Sequence, residues 1–381
     1  MTIKILRPAG NLITIAQANQ EPLSDLSYTA YYYNSGTASL SAAIIASCKA
    51  DAKIKKSEVI IPAYACPDLI SAAINANTSP VLVDLEPNSP NFSIEAVKQA
   101  INKNTVAIVA VRFFGLNGNI KLLSDIARKN KISLIEDSAQ GFPVTEDDSY
   151  WCGDFIVLSF GRGKPINLLN GGAVLSKKPE LIKLLPTPEP ASETFIDKFK
   201  YFLKVLIYNQ SLHPFIYGLI TRLPGLTIGE TIYKPLHNIT SMLSYSKSLL
   251  VSNIKSYQRR KNIRHEYAST FKDINHPMLI DLPVSINDNL NDEQPLLRYP
   301  ILILNHSVRN DIYEKLKPYG ASLMYQKPLN KIAGVDKLIM NDDNYTNAAS
   351  FSQHLLTLPT HDDVNRELIK KIGGIIKDHL Q

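Results

Sequence analysis

The sequence predicts an α/β protein: a mostly parallel sheet with helices on both faces, followed by a smaller α+β part. Three observations predict it. Short β-branched apolar runs recur through the first 180 residues, and amphipathic helical patterns fall between them. The runs are almost continuously apolar rather than alternating, which is how strands read when both faces of their sheet are covered. A Pro-rich break, "LLPTPEPAS" (184–192), then separates this region from one of different character.

The strand-like runs are "EVIIP" (58–62), "PVLVD" (80–84), "TVAIVAVR" (105–112), "ISLIE" (132–136), "FIVLSF" (155–160) and "GAVLS" (172–176). The alanine-rich "TASLSAAIIASCKA" (37–50) reads as a buried helix. "SIEAVKQAI" (93–101) sets Ile94, Val97 and Ile101 on one face, and "NIKLLSDIARKN" (119–130) does the same with Ile120, Leu123, Ile126 and Ala127. Strand–helix alternation of this kind predicts right-handed crossovers between parallel strands. Residues from about 195 to 245 form an aromatic, Tyr-rich insertion, and 245–271 reads as one long helix. A strand at 298–304, a helix at 308–320 and a closing helix at 364–380 complete the chain. The expected division is a large domain over 1–245 and a long helix with a small α+β domain over 246–381.

Composition bounds the function. The 381 residues are 45% hydrophobic and 20% charged, with a net charge of +6, ordinary for a soluble globular protein. Basic residues are dispersed. The short clusters "KIKK" (53–56) and "QRRKNIRH" (258–265) read as solvated helix faces, so no nucleic-acid partner is expected. Cys48, Cys66 and Cys152 stand far apart without a CxxC, which argues against a disulfide framework or a zinc site and fits a reducing compartment. "MTIKILRPAGN" lacks an apolar core of signal-peptide length, and no window approaches the ~18 consecutive apolar residues of a spanning helix. A cytoplasmic protein is expected. The most apolar window, Phe202 to Gly225, is interrupted by Lys204, Asn209, His213 and Pro214 and reads as an interface or amphipathic segment.

In open α/β sheets, ligands bind at the carboxyl ends of the strands, and four such positions carry polar chemistry. "NSGTAS" (34–39) is a glycine turn opening a helix. Its backbone N–H groups, with Ser35 and Thr37, could hold an anion, or Ser35 could simply cap the helix. "LIEDSAQ" (134–140) puts Glu136 and Asp137 at a strand end, for a ligand or for a structural ion pair. "IPAYACPD" (61–68) offers Tyr64 and Cys66 to a flat ligand. "SFGRGKPINLLNGGAVLS" (159–176) presents Lys164 between glycines. A phosphate loop needs G-x-x-x-x-G-K-[ST], and here Pro165 follows the lysine and Leu158 stands where the first glycine belongs. A lysine at a sheet edge can instead bind a carbonyl covalently through its neutral amine, or merely point into solvent. In that chain order the four sites suit one ligand, pyridoxal 5'-phosphate (PLP): the turn for its phosphate, Asp137 for its pyridine nitrogen, Lys164 for its C4' carbon.

The blocks "NSGTASL", "EVIIPAY", "PVLVDLEP", "LIEDSAQ", "GDFIVLSF…K" and "NGGAVLS" resemble the DegT/DnrJ/EryC1/StrS family, strongly over about 30–180 and faintly in "YGASLMYQKPL" and "LLTLPTHDDVNRELIKKI". The resemblance implies fold type I and a PLP-dependent aminotransferase that transfers an amino group, from L-glutamate by family analogy, to a keto sugar, commonly nucleotide-linked, in surface polysaccharide or amino-sugar synthesis. It implies Lys164 as the catalytic residue and covalent anchor. Asp137 would pair with the pyridinium, and Gln140 would lie near the ring hydroxyl. Gly36, Thr37 and Ser159 would hold the phosphate, and Arg162 has no assigned role. A homodimer is implied. The alternatives are a sugar dehydratase, in which a histidine replaces the lysine, or a non-catalytic regulatory relative. Three departures stand out. Cys66 occupies the position of the family's stacking aromatic. Asn170, not Glu, precedes the glycine pair. "HNITSMLSY" (237–245) does not match the Asn-Tyr-Arg block that reaches the partner's phosphate. The apolar stretch before it, about 199–226, reads as specificity loops, dimer contacts or a membrane-surface contact.

Overall fold

The computed structural model describes residues 4–24, 26–51, 54–145, 149–223, 231–286, 294–341 and 343–381. The first sheet is formed by β1 (Thr29–Tyr33), β2 (Glu58–Pro62), β3 (Ser79–Val83), β4 (Thr105–Val111), β5 (Ser133–Asp137), β6 (Phe155–Ser159) and β7 (Gly172–Ser176), in the order β1-β7-β6-β5-β4-β2-β3. From β3 through β6 every pairing is parallel. β7 runs antiparallel to both of its neighbours, so the mostly parallel sheet expected from sequence is present with an antiparallel edge. β1 lies outside the runs read as strands. On this outermost strand Thr29 and Tyr31 are exposed, Ala30 and Tyr32 half-buried and only Tyr33 buried, so it carries no continuous apolar signal.

Crossovers α1 (Gly36–Ala50), α2 (Asp68–Asn75), α3 (Ile94–Ala100) and α4 (Ile120–Asn130) cover the sheet. On β2, Val59 and Ile61 join one core cluster with α1, whereas Ile60 faces the opposite way into a second cluster with Val97 of α3 and Ile120 and Leu123 of α4. Burial on both faces explains why this strand reads as an unbroken apolar run.

After α5 (Pro179–Ile182) the aromatic insertion folds as two helices, α6 (Phe195–Ser211) and α7 (Pro214–Ile220). Thr194 and Asp197 form a capping box at the start of α6. The single long helix expected over 245–271 is a correction: it is three pieces, α8 (Ser244–Lys247), α9 (Leu250–Gln258) and α10 (Arg264–Ile274). The break follows Arg259. Arg260 Nη2 donates to the Thr360 carbonyl at 3.1 Å, and the Asn262 side chain accepts the Arg264 N–H at 3.1 Å. An Asn side chain that satisfies a nearby backbone group competes with helix continuation.

The remainder comprises β8 (Leu279–Asp281), α11 (Leu282–Ser285), β9 (Arg298–Ile303), α12 (His306–Leu316), α13 (Thr346–His354), β10 (Leu355–Pro359) and α14 (Arg366–Leu380). Its antiparallel sheet has the order β10-β9-β8. Residues of both sheets share the largest core cluster, in which Tyr64 of the first part meets Phe351 of the second at 4.9 Å.

Candidate active site

The site is built at the carboxyl ends of β5 and β6 and at the start of α1. Ser35 is the N-cap of α1, in an extended conformation, and its Oγ accepts the Ala38 N–H at 3.1 Å. Gly36 follows because there is no room for a side chain: a Cβ there would come within 2.5 Å of Ser159 Cβ. A Cβ on Gly172 would likewise reach 2.6 Å from the Ser35 carbonyl. The glycines thus let β6 and β7 press against the first turn of α1, the end of a helix that favours an anion. Thr37 stands on that turn. Asn170, before the glycine pair, accepts a hydrogen bond from Ser246 Oγ at 2.6 Å and so ties the loop to α8.

Asp137 and Glu136 end β5 side by side and point oppositely, as successive strand residues must. Glu136 is buried in an ion pair. Its Oε1 accepts from Arg112 Nε at 2.9 Å and Nη2 at 2.6 Å, and its Oε2 accepts from the Cys152 and Gly153 N–H groups at 2.8 and 3.2 Å. Asp137 is 7% exposed, and its Oδ1 accepts the Ala139 N–H at 3.0 Å. Burial pushes its carboxyl above the usual range, while the Lys164 ammonium pulls it back down.

Lys164 lies on the loop after β6, where its N–H donates to the Gly161 carbonyl at 3.4 Å. Among the described residues its amine has no hydrogen-bond or ion-pair partner. It lines a cleft of about 760 Å³ together with Cys66, Gln140 and Tyr325. Gln140 is 5% exposed, and its Oε1 accepts the Phe114 N–H at 2.9 Å. That bond steadies a turn in which Phe114 holds φ +61°, a conformation uncommon for a bulky residue. Gly36 and Ser159 pack on each other beside this loop rather than lining the cleft. Gly161 N–H, which donates to Ser159 Oγ at 3.4 Å, links the two groups.

Of the two candidates for packing on a ring, only Cys66 reaches the cleft. Tyr64 is fully buried, donates its hydroxyl proton to the Met324 carbonyl at 2.6 Å and packs among Phe113, Tyr325 and Phe351. Burial pushes the Cys66 thiol up to about 12, so it is no nucleophile at neutral pH. Tyr325, with φ +45°, lies close enough to that thiol to act on its electrostatics.

The structure also brings in residues that sequence reading did not single out. Lys234, Arg298 and Lys317 join Arg162 and Lys164 at the cleft, against one lining carboxylate, Asp68. Arg298 Nη1 donates to Ser322 Oγ, and its buried Nε has no partner among the described residues. Five cations facing one anion make the cleft a site for a negatively charged ligand. The sequence signal for Tyr325 was the faint "YGASLMYQKPL" block, and Arg298 appeared only as the first residue of the strand expected at 298–304, since their convergence on Lys164 depends on how the second sheet packs. Among the described residues no His/Cys/Asp/Glu group could hold a metal, and no helix is long and apolar enough to cross a membrane.

Residues 28–187 match the model of the DegT/DnrJ/EryC1/StrS aminotransferase family, the family the motifs resemble. Curated relatives include GDP-perosamine synthase of Vibrio cholerae, 32% identical over 33% of this chain and 35% of its own length, and dTDP-4-amino-4,6-dideoxy-D-glucose transaminase of Shigella dysenteriae, 30% identical over 39% and 40%. The chain therefore covers well under half of these relatives. Among solved structures, Helicobacter pylori PseC, an aminotransferase involved in the biosynthesis of pseudoaminic acid, superposes with a TM-score of 0.72 at 19% identity over 99% of both chains. NtdA of Bacillus subtilis, solved with bound cofactor PMP, gives 0.66 at 17% identity over 92% of this chain and 73% of its own. The fold is fold type I, as expected.

Proposed function

We propose that this chain, which carries the DegT/DnrJ/EryC1/StrS aminotransferase family match over residues 28–187, is a PLP-dependent aminotransferase that transfers an amino group from L-glutamate to a nucleotide-linked keto sugar, for surface polysaccharide or amino-sugar synthesis. One observation carries the reading: an unpartnered lysine amine, Lys164, lines a cation-rich cleft and lies close enough to a buried strand-end aspartate, Asp137, to shift its carboxyl.

The residues fit the cofactor. Lys164 would hold it covalently, and the N-terminal turn of α1 at Gly36 and Thr37, with Ser159, would take its phosphate. The close approach of Ser159 to Gly36, which sets its hydroxyl beside that turn, supports the assignment. Asp137 would hold the proton of the pyridine nitrogen, and a ring cation there would offset the cost of burying the carboxylate. Gln140 would neighbour the ring hydroxyl, and Cys66 would lie against the ring in place of an aromatic. Bound PLP supplies an electron sink for charge developing at the substrate's α-carbon. Lys164, as a neutral amine, would take the proton from that carbon and return it during transfer.

Arg298, Lys317 and Lys234 support an acceptor bearing phosphate. An intact lysine at 164 speaks against the dehydratase reading, and Lys164 with Asp137 speaks against a non-catalytic role. We further read the protein as a cytoplasmic homodimer, with residues 1–245 as the cofactor domain and 246–381 as the smaller domain. Purified protein supplied with PLP should gain a visible absorbance band that borohydride removes, and Lys164→Ala should gain none. L-Glutamate should discharge the band, and a panel of nucleotide-linked keto sugars should restore it selectively. Protein that never gains the band refutes the reading.

A further inference from the structure

Helix α6 is apolar on two opposite sides. Its inner side buries Tyr201 and Val205, and the Tyr201 hydroxyl donates to the Leu168 carbonyl at 3.0 Å. Its outer side carries Phe195, Ile196, Phe199, Leu203, Leu206 and Ile207, each between 45% and 84% exposed. At ~100° per residue these six span about 120° of the helix circumference, away from the buried side. On α7, Phe215 and Leu219 continue the open apolar surface at 46% and 55% exposure. A water-facing helix would carry charge there, and clusters of this kind mark an interaction surface. The helix pair begins after residue 187, outside the segment that the family model matches.

The charges around the face decide what covers it. Lys198, Lys200 and Lys204 are exposed beside it. The one acidic residue of α6, Asp197, is turned back onto Thr194 in the capping box, with Oδ2 accepting from Thr194 Oγ1 at 2.7 Å. Three lysines against that one aspartate leave the helix net positive. A second copy docking through the same face in an isologous contact would set one lysine rim against another. An anionic bilayer complements both features: the apolar side chains enter the headgroup–acyl boundary and the lysines reach up to phosphates. At 17 residues with four charges, α6 fits a helix lying in the interface rather than crossing it. Tyr217 and Thr221, on and just after α7, line the cleft, so the surface adjoins its mouth.

We propose that α6 and α7 form an amphipathic platform that seats the protein on an anionic lipid surface, with the cleft mouth beside it. The test uses the full chain, without added cofactor, so that it stands apart from the proposed activity. Co-sedimentation is measured with vesicles of phosphatidylcholine alone and with added phosphatidylglycerol. Wild type should partition at least ~10-fold better onto the anionic vesicles, and less so as salt rises. Phe199→Glu with Leu206→Glu should lower that partitioning ~10-fold or more without changing the melting temperature, because both positions are exposed. Lys200→Glu with Lys204→Glu should abolish the preference for anionic lipid. Failure of wild type to prefer the anionic vesicles overturns the proposal. So does a sedimentation-equilibrium result in which the Phe199/Leu206 pair of substitutions splits an oligomer while vesicle binding is absent, which would give the face to a second copy.

Discussion

Glu136 and Asp137 are adjacent carboxylates on one strand, and they sit in opposite electrostatic regimes. Behind β5, Glu136 is closed in by Arg112 and two backbone N–H groups, and all its acceptor capacity is engaged within the protein. In front, Asp137 keeps one short-range backbone bond and a lysine close enough to shift it, but no ion pair. Arg112 in turn donates to the Tyr150 carbonyl at 2.7 Å and lies over the Tyr150 ring. The rear region spends its charges on its own fold, whereas the front region leaves a carboxylate and an amine for something else to complete. Buried charge that is fully paired reads as structure, and buried charge left incomplete at a cleft reads as a binding site.

Substitutions can break this contrast from either side. The largest effect falls at the front: Lys164→Ala should lower the proposed transamination on the order of 10⁴-fold or more while leaving the melting temperature almost unmoved, as steady-state rates and calorimetry would show. At the rear the pattern should reverse. Arg112→Met strands Glu136 and should cost about 3–5 kcal/mol of stability in denaturant titration, with the activity per folded molecule retained. A large activity loss without destabilisation there would dissolve the distinction.

Asp137→Asn should cut the rate by about 10²–10³-fold yet shift stability by no more than about 1 kcal/mol, since an amide oxygen still accepts the Ala139 N–H and no charge need be buried. Asp281 sharpens the comparison with an intermediate case. Both its oxygens accept from the Tyr299 hydroxyl at 2.8 Å, and burial raises it to about 6 despite that bond. The folded protein therefore holds a proton there more tightly than the unfolded chain. That contribution to stability is complete below the ordinary carboxylate range, near pH 4, and disappears as pH rises through about 6. After discounting for partial solvent screening it amounts to about 1–2 kcal/mol. Melting temperatures recorded from pH 4 to 8 should show the decline in wild type, and Asp281→Asn should flatten it.

Much of the front region is legible in the sequence because its parts are local. A strand ending in Asp137, a glycine turn opening α1 and a lysine on a glycine loop are each visible within a few residues. The same locality hides the rest. The sequence offers Glu136 and Asp137 as equals, and only the position of Arg112, just after β4, tells them apart. Tyr64 and Cys66 are two residues apart on one loop, and packing against Phe351 takes Tyr64 into the core and leaves Cys66 at the cleft. The unbroken helix expected after residue 245 follows from periodicity alone, which does not register the pull of Thr360 and Asn262 on the stretch around residues 259–263.

The sequence by itself determined the layered α/β architecture and the placing of polar chemistry at strand ends, with Lys164 and Asp137 as candidates among it, because periodicity and strand-end turns are short-range properties of a chain. The tertiary structure alone decided which carboxylate is paired, which loop side chain faces the cleft, that Arg298, Lys317 and Tyr325 converge on Lys164, and that α6 keeps one apolar side uncovered. Those outcomes depend on contacts between residues far apart in the chain, and no local pattern encodes which surfaces will meet.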